Sequence, residues 1–377
     1  MSASLPASDL LLLILFILLL VSLAIQLLFY WGIFSRLAWY REKGEPLPHQ
    51  GVSVVICARN EHHHLQENLP LILDQDHPDF EVVVVNHASD DDSSFLLSRL
   101  AEQHPNLKIV EIRENLNFFS GKKFPLSIGI KSASRELILV TDADCRPAGR
   151  GWISAMEQSF REGTGIVLGY GGYTRKAGFL NRLIRFDTAH IAVQYLSYCL
   201  AGIPYMGVGR NMAYRKSLFF ENKGFTSHYR IPSGDDDLFI NRVARKNNTR
   251  INIRPEGFTY SDPKTTFRGW RLQKKRHLST GRFYRPLHKF LLGSYLGSQI
   301  LFYLSLILLF IFLYNIYFLF TIFVIRLTSQ WIIFRKCFNN LDEKRLWPYV
   351  IFYEPMLLLI NSGVFLSNLF AKPDRWK

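Results

Sequence analysis

Apolar positions crowd the two ends of the chain and break into short runs between them. Residues 10–31 form an almost unbroken apolar run, matching the roughly 20 residues that carry a helix across a bilayer core. Asp9 precedes the run, and Arg36, Arg41 and Lys43 follow it. The cytosolic bias of basic residues puts the N-terminus outside and everything after Tyr40 inside. A cleaved signal peptide is the alternative, but the chain has no basic leading segment and its apolar stretch is too long. Residues 291–334 form a second apolar region, long enough for two crossings with a break at Tyr314 and Asn315. Basic residues crowd positions 268–289 before it, and Arg335 and Lys336 follow it, so a hairpin returns the chain to the cytosol. Arg326 then falls in mid-span, at a cost of about 2.5–3.5 kcal/mol, and is expected to snorkel unless its segment lies in the interface. Residues 347–370 carry Glu354, Pro355 and Asn361 and lead into a basic tail with Lys372, Arg375 and Lys377. A further crossing would put that tail outside, so a re-entrant or interfacial helix is expected. The organisation read from the pattern is an anchor over residues 1–40, a cytosolic domain over 50–290 and a membrane region over 291–377. That region holds about two crossings plus the interfacial helix.

In the middle the pattern changes period. Residues 51–57 (GVSVVIC) and 80–85 (FEVVVV) are β-branched and apolar, as buried strands are. Residues 107–112 and 137–141 (LILVT) repeat the pattern, and helical stretches lie between, ending near Leu73 or covering 93–103 and 124–134. Strands alternating with helices predict an α/β domain with a mostly parallel sheet covered on both faces. Ligands bind such sheets at the carboxyl ends of the strands. Polar clusters stand after Cys57, after Val85 and after Thr141, at those ends.

Composition narrows the class. The 377 residues carry 45 Lys+Arg against 31 Asp+Glu, a formal net charge of +14. Aromatics at 14% exclude a disordered chain, and only 4 cysteines exclude a disulfide scaffold. Cys57, Cys145, Cys199 and Cys337 lack metal-ligand spacing and read as reduced thiols. Much of the positive charge flanks the apolar segments, so anionic headgroups and phosphate-bearing substrates fit it better than a nucleic acid does.

Three acidic clusters are candidate chemistry. Asp142 and Asp144 follow a buried strand one residue apart and can aim two carboxylates at one point, as Mg²⁺ or Mn²⁺ shared with substrate phosphates requires. The alternative is a solvated acidic turn. Asp235, Asp236 and Asp237 stand between Gly234 and an apolar helix start. An N-cap with a first-turn acid explains one or two of them, and a carboxylate here also suits a general base for a hydroxyl. Asp90, Asp91 and Asp92 follow the second strand and either start the next helix or, with Ser89, meet a nucleotide. Gly121-Lys122-Lys123 reads equally as a phosphate contact or a surface charge pair. His62, His63 and His64 point about 100° apart on a helix and cannot converge on one ion.

The pieces SVVICARNE, VVVVNHASDDDS, SGKKFPLSIGI, LVTDADC, GVGRNMAYR, SGDDDLFINR and QKKRH, in this order, resemble glycosyltransferase family 2. Its members are inverting enzymes of GT-A fold, a Rossmann-like mostly parallel sheet, and here the layout is membrane-anchored. The likeness covers roughly residues 52–284. It implies that Ala58, Arg59, Asn60 and Glu61 line a nucleotide pocket with Ser89, Asp91 and Lys122. It implies that Asp142 and Asp144 hold Mg²⁺ or Mn²⁺ on the diphosphate of a nucleotide-sugar donor. Residues 207–211, Gly209 and Asn211 among them, would lie near the transferred sugar. Asp235 or Asp236 would be the catalytic base: counting back from Asp237-Leu238 picks Asp235, counting from Asn241-Arg242 picks Asp236, and the second is preferred. Two departures stand out. His87 occupies the place of an Asp that contacts uracil in many members. Gln273 and Arg276 keep the Gln-x-x-Arg-Trp pattern of membrane-embedded synthases, with Arg276 as a diphosphate clamp, but His277 replaces the Trp. His277 is then a third metal ligand or an acceptor contact. The implied activity is transfer of a hexose-type sugar, at the cytosolic face of the inner membrane, to a lipid or lipid-linked acceptor for glycolipid or envelope polysaccharide. A processive polysaccharide synthase and a non-catalytic nucleotide-sugar binding protein are the alternatives.

Overall fold

The computed structural model describes residues 7–42, 47–113 and 121–370. Lys43, Ser120 and the tail residues Lys372, Arg375 and Lys377 lie outside them. The chain divides into two units, Met1–Tyr40 with Arg285–Gly363, and Arg41–Tyr284 with Val364–Lys377.

The second unit carries the strands β1 (Val52–Ala58), β2 (Phe80–His87), β3 (Leu107–Ile112), β4 (Leu137–Asp142), β5 (Cys145–Pro147), β6 (Ile166–Leu168), β7 (Gly171–Tyr173), β8 (Met212–Arg215), β9 (Thr249–Ile251) and β10 (Thr259–Ser261). The α-helices among the described residues are α1 (Ala7–Leu28), α2 (Ser35–Ala38), α3 (His62–Leu73), α4 (Ser93–Gln103), α5 (Lys123–Ser132), α6 (Trp152–Glu157) and α7 (Phe179–Leu200). They continue with α8 (Lys216–Glu221), α9 (Asp237–Val243), α10 (Phe267–Leu278), α11 (Pro286–Ile311), α12 (Ile316–Asn340) and α13 (Val350–Phe370).

One sheet runs β3-β2-β1-β4-β8-β6-β9. Strands β3, β2, β1 and β4 are parallel, β8 is antiparallel to both its neighbours, and β6 and β9 pair in parallel. Every residue of β1 is buried, the physical reason for its unbroken apolar run: a strand covered on both faces has no polar side. Val54, Ile56, Val82, Val84, Leu137 and Leu139 pack in one core with side chains of α3, α4 and α6. Each such side chain contributes about 1.5–3 kcal/mol by leaving water. Register brings Ala58 beside Asn86 and Cys57 beside Asp142, so three strands end level. A small sheet, β5-β10-β7, stands beyond the end of β4. The short strands β6, β8 and β9 escape a pattern-based reading because three or four residues cannot show a period.

In the first unit α1, α11 and α12 pack through Leu15, Leu19, Leu23, Phe302, Leu309, Leu319 and Ile322. Among the described residues four helices, Ser8–Ala38, Pro286–Ile311, Ile316–Asn340 and Trp347–Asn368, are long and apolar enough to cross a membrane, by length and composition.

Arg326 neither snorkels nor lies at an edge: it is 1% exposed. Its guanidinium donates to Glu354 at 2.6 Å, to Gln26 at 2.6 Å and to the Tyr303 hydroxyl at 3.2 Å. Glu354 also accepts from Gln299 and Gln330, both at 2.6 Å. The charge expected to be a liability is paired inside the helix bundle, and Glu354 of α13 is its partner. Removing one member of a buried pair costs about 3–5 kcal/mol, whereas replacing both is often neutral. Glu354→Leu should therefore lower the thermal midpoint of the detergent-purified protein markedly. Adding Arg326→Met should restore most of it, and equal midpoints for Glu354→Leu and the wild type would remove the pair from the bundle's stability.

Candidate active site

Strand β4 delivers Asp142, and the turn into β5 delivers Asp144 and Cys145. Ligand atoms of these three residues all lie within 4.8 Å of one another. Burial acts to raise Asp142, but the Lys122 ammonium bonded to it outweighs that and holds the carboxyl below its usual range. Asp144 goes the other way: burial and the neighbouring Asp142 charge push it up. One carboxylate is already neutralised and the other is short of a cation. Oxygen donors in this arrangement fit Mg²⁺ or Mn²⁺. Cys145 is no ligand of a hard ion: burial, with Asp144 beside it, holds its thiol protonated. Its sulfur stands 3.5 Å from Asp144 and 3.1 Å from the Ser261 hydroxyl.

The lysines that read as a surface pair are both buried, at 8% and 2% exposure. Burial works against the Lys122 ammonium, but Asp142 and Asp235 outweigh it and hold it above its usual value. Lys123 turns away and donates to the carbonyls of His228 at 2.9 Å, Ile231 at 2.5 Å and Ser233 at 2.7 Å. It thereby clasps the loop that leads into the acidic triplet. Gly121, at φ +103°, lets this loop close in, since a Cβ there would meet the Pro232 carbonyl oxygen at 2.4 Å.

The three carboxylates of the triplet separate into different jobs. Asp237 is buried and accepts from Thr280 and from the Tyr284 hydroxyl, so it ties the segment after α10 to α9. Asp236 caps α9: one oxygen accepts from the Asp237 amide at 2.7 Å and the other from the Gly209 amide at 2.9 Å. Burial, with Asp235 and Asp237 alongside, pushes its carboxyl up to about 7 against those two bonds. Asp235 faces the same spot, since a Cβ on Gly209 would lie 3.5 Å from Asp236 and 3.8 Å from Asp235.

Several sequence expectations need correcting here. Asn211 is fully buried, its amide spent on the carbonyls of Tyr170 and Gly257 and on the Trp152 indole. It supports the floor of the site through these bonds. Gln273 donates to the Tyr173 hydroxyl at 3.0 Å. His277 stands outside the group that converges on Asp142 and Asp144. Surrounding protein mass, with Arg276, Arg210 and Lys274, keeps its ring below the usual value and neutral, on the exposed last turn of α10. Arg276 does reach the site electrostatically, helping to hold Asp142 down.

At the ends of β1 and β2, loop residues bond chiefly to one another. Ser89 accepts from the Asn60 amide and donates to Asn86, and Asn60 accepts from the Asp90 amide. Asp91 accepts from the amides of His62 and Ser93, holding two helix starts. Glu61 pairs with His64. Ala58 and His87 are buried, and burial, with the Arg59 charge nearby, keeps the His87 ring neutral. This mesh shapes a rim at the strand ends. Sequence reasoning missed Tyr173 and gave Lys123 and Arg210 no individual role, because the partners of all three are distant in the chain.

A second cluster, His49, His77 and Glu157, also converges. His77 Nδ1 accepts from the Asp79 amide at 3.2 Å, and its Nε2 lies 4.0 Å from Glu157, buried and without a hydrogen-bond partner among the described residues.

Residues 53–221 match the model of glycosyl transferase family 2, and the domain they form belongs to that family, with the GT-A fold. The mannosyltransferase PcManGT of Pyrobaculum calidifontis, solved with GDP-Man and Mn²⁺, superposes with TM-score 0.59 at 20% identity over 90% of this chain and 99% of that one. The poly-β-1,6-N-acetyl-D-glucosamine synthase of Staphylococcus epidermidis is 28% identical over 111 residues, 29% of this chain and 25% of that protein. An uncharacterized glycosyltransferase of Haemophilus influenzae is 24% identical over 210 residues, 52% and 60% of the two chains. The chain thus spans a quarter to less than two thirds of these curated relatives.

Proposed function

We propose that this chain is a membrane-anchored, inverting glycosyltransferase. It moves one sugar from a nucleotide-diphosphate sugar to a hydroxyl of a lipid-linked acceptor, at the cytosolic face of the inner membrane. The observation that carries the reading is the meeting of two acidic pairs around Lys122: Asp142 and Asp144 at the end of β4, Asp235 and Asp236 over Gly209. A bound Mg²⁺ or Mn²⁺, held by Asp142 and Asp144, supplies positive charge at the diphosphate. Lys122 and Arg276 add fixed positive charge on the same side. The acceptor oxygen forms its bond to the anomeric carbon while the bond from that carbon to the diphosphate oxygen breaks. The bonding pair leaves with the diphosphate, and the acceptor proton passes to Asp236. A single displacement inverts the anomeric centre.

The acceptor assignment draws on the four apolar helices and on the basic residues of α10 and the segment after it, which suit an anionic headgroup. Membranes containing the protein, given excess candidate nucleotide sugars, should release nucleoside diphosphate and yield a lipid fraction heavier by one sugar. A ladder of long polymer would replace this reading with a processive synthase, and no nucleoside diphosphate from any donor would end it.

A further inference from the structure

Arg210 lies one residue beyond the Gly209 amide that fixes Asp236, and its backbone is pinned. Its carbonyl accepts from Thr141 of β4 at 2.9 Å and from Thr259 of β10 at 3.0 Å, one hydroxyl from each sheet. Its guanidinium lies over the Tyr173 ring at 4.4 Å, and Gln273 holds that ring by its hydroxyl. One nitrogen donates to the Gly172 carbonyl at 3.3 Å. Among the described residues no carboxylate comes within ion-pair distance of it, although its charge helps hold Asp142 down and works against the rise of Asp144.

A guanidinium carries five donors and stays charged, and only one donor here is spent on protein. Were Arg210 the counter-charge of the acidic pair, it would close onto a carboxylate, as Lys122 does. It is instead held on an aromatic face, half-buried, close enough for its charge to act on both carboxyls of the acidic pair. Planar guanidinium forks match phosphate oxygens two at a time. We propose that Arg210, seated on Tyr173, is a binding residue for the donor's diphosphate and steadies the negative charge that gathers there as the sugar leaves. The inference rests on the glycosyltransferase reading above. Gln273 acts at one remove, as a positioning residue that keeps Tyr173 under the guanidinium.

The test is calorimetric titration of the full-length protein in detergent with UDP and GDP, each with Mn²⁺, with UMP and GMP, and with Mn²⁺ alone. Arg210→Gln should weaken whichever nucleoside diphosphate the wild type binds by about 10- to 100-fold, the loss of one or two charge-assisted hydrogen bonds. Binding of the monophosphate should change far less. Arg210→Lys keeps the charge without the fork and should fall between, which guards against a variant that merely unfolds. Unchanged diphosphate affinity with tighter Mn²⁺ binding would make Arg210 a counter-charge and overturn the proposal. A wild type that binds neither diphosphate would overturn the parent reading and this one together.

Discussion

Asp144→Ala is expected to abolish turnover and, in the same variant, the part of nucleoside diphosphate binding that depends on Mn²⁺. The asymmetry of the acidic pair singles this residue out. Asp142 already has the Lys122 ammonium on it, whereas Asp144 is pushed up by burial and by Asp142. A divalent cation relieves that repulsion, and the charge stabilisation it lends a leaving diphosphate is worth several kcal/mol, so turnover should fall by about 10²-fold or more. Asp142→Asn would be harder to interpret, because it strands a buried lysine as well. Titrating Mn²⁺ into wild type and Asp144→Ala, with and without nucleoside diphosphate, separates a lost ligand from a lost fold. Full activity of the wild type in a chelator would refute the metal assignment.

What was legible in the chain was whatever sits on one strand and its immediate exit. Residues 137–141 read as a buried strand because both faces are covered, and two acids directly after it had to stand at the ligand edge of the sheet. The same logic located the polar exits after Cys57 and Val85. What failed were residues whose role is set by a partner far along the chain. Lys123 and Lys122 are adjacent, so no local pattern says that one meets a carboxylate of β4 and the other three carbonyls of residues 228–233. Asn211 carries a polar side chain in a motif rich in functional residues, yet its partners are Trp152, Tyr170 and Gly257. Arg326 looked misplaced in an apolar helix because Glu354 lies on another helix 28 residues later. The individual role of Arg210 was hidden for the same reason, its platform being supplied by β7 and its braces by β4 and β10.

Asp236→Asn is expected to lower kcat by about 10²- to 10⁴-fold, the usual worth of a general base, with donor affinity largely kept. The carboxyl is held up at about 7 by burial and by Asp235 and Asp237, near the pH at which a base works best. Being a base, it must be ionised to act, so wild-type kcat/KM should fall about tenfold per unit as pH drops below 7 and level off above it. Asp236→Asn should show a low rate without that acid limb. The substitution has one unavoidable side effect: an amide nitrogen must face either the Asp237 or the Gly209 N–H, where each carboxylate oxygen now accepts one bond. A shift of the α9 start is the consequence to watch, and unchanged nucleoside diphosphate binding shows that the site survives it. Asp235→Asn is free of this complication, since no backbone amide is bonded to its side chain in the described structure. If the acid limb persists in Asp236→Asn and disappears in Asp235→Asn, the proton goes to Asp235, and Asp236 serves to orient the loop through Gly209. If both variants keep the limb and most of the rate, neither carboxylate is the base.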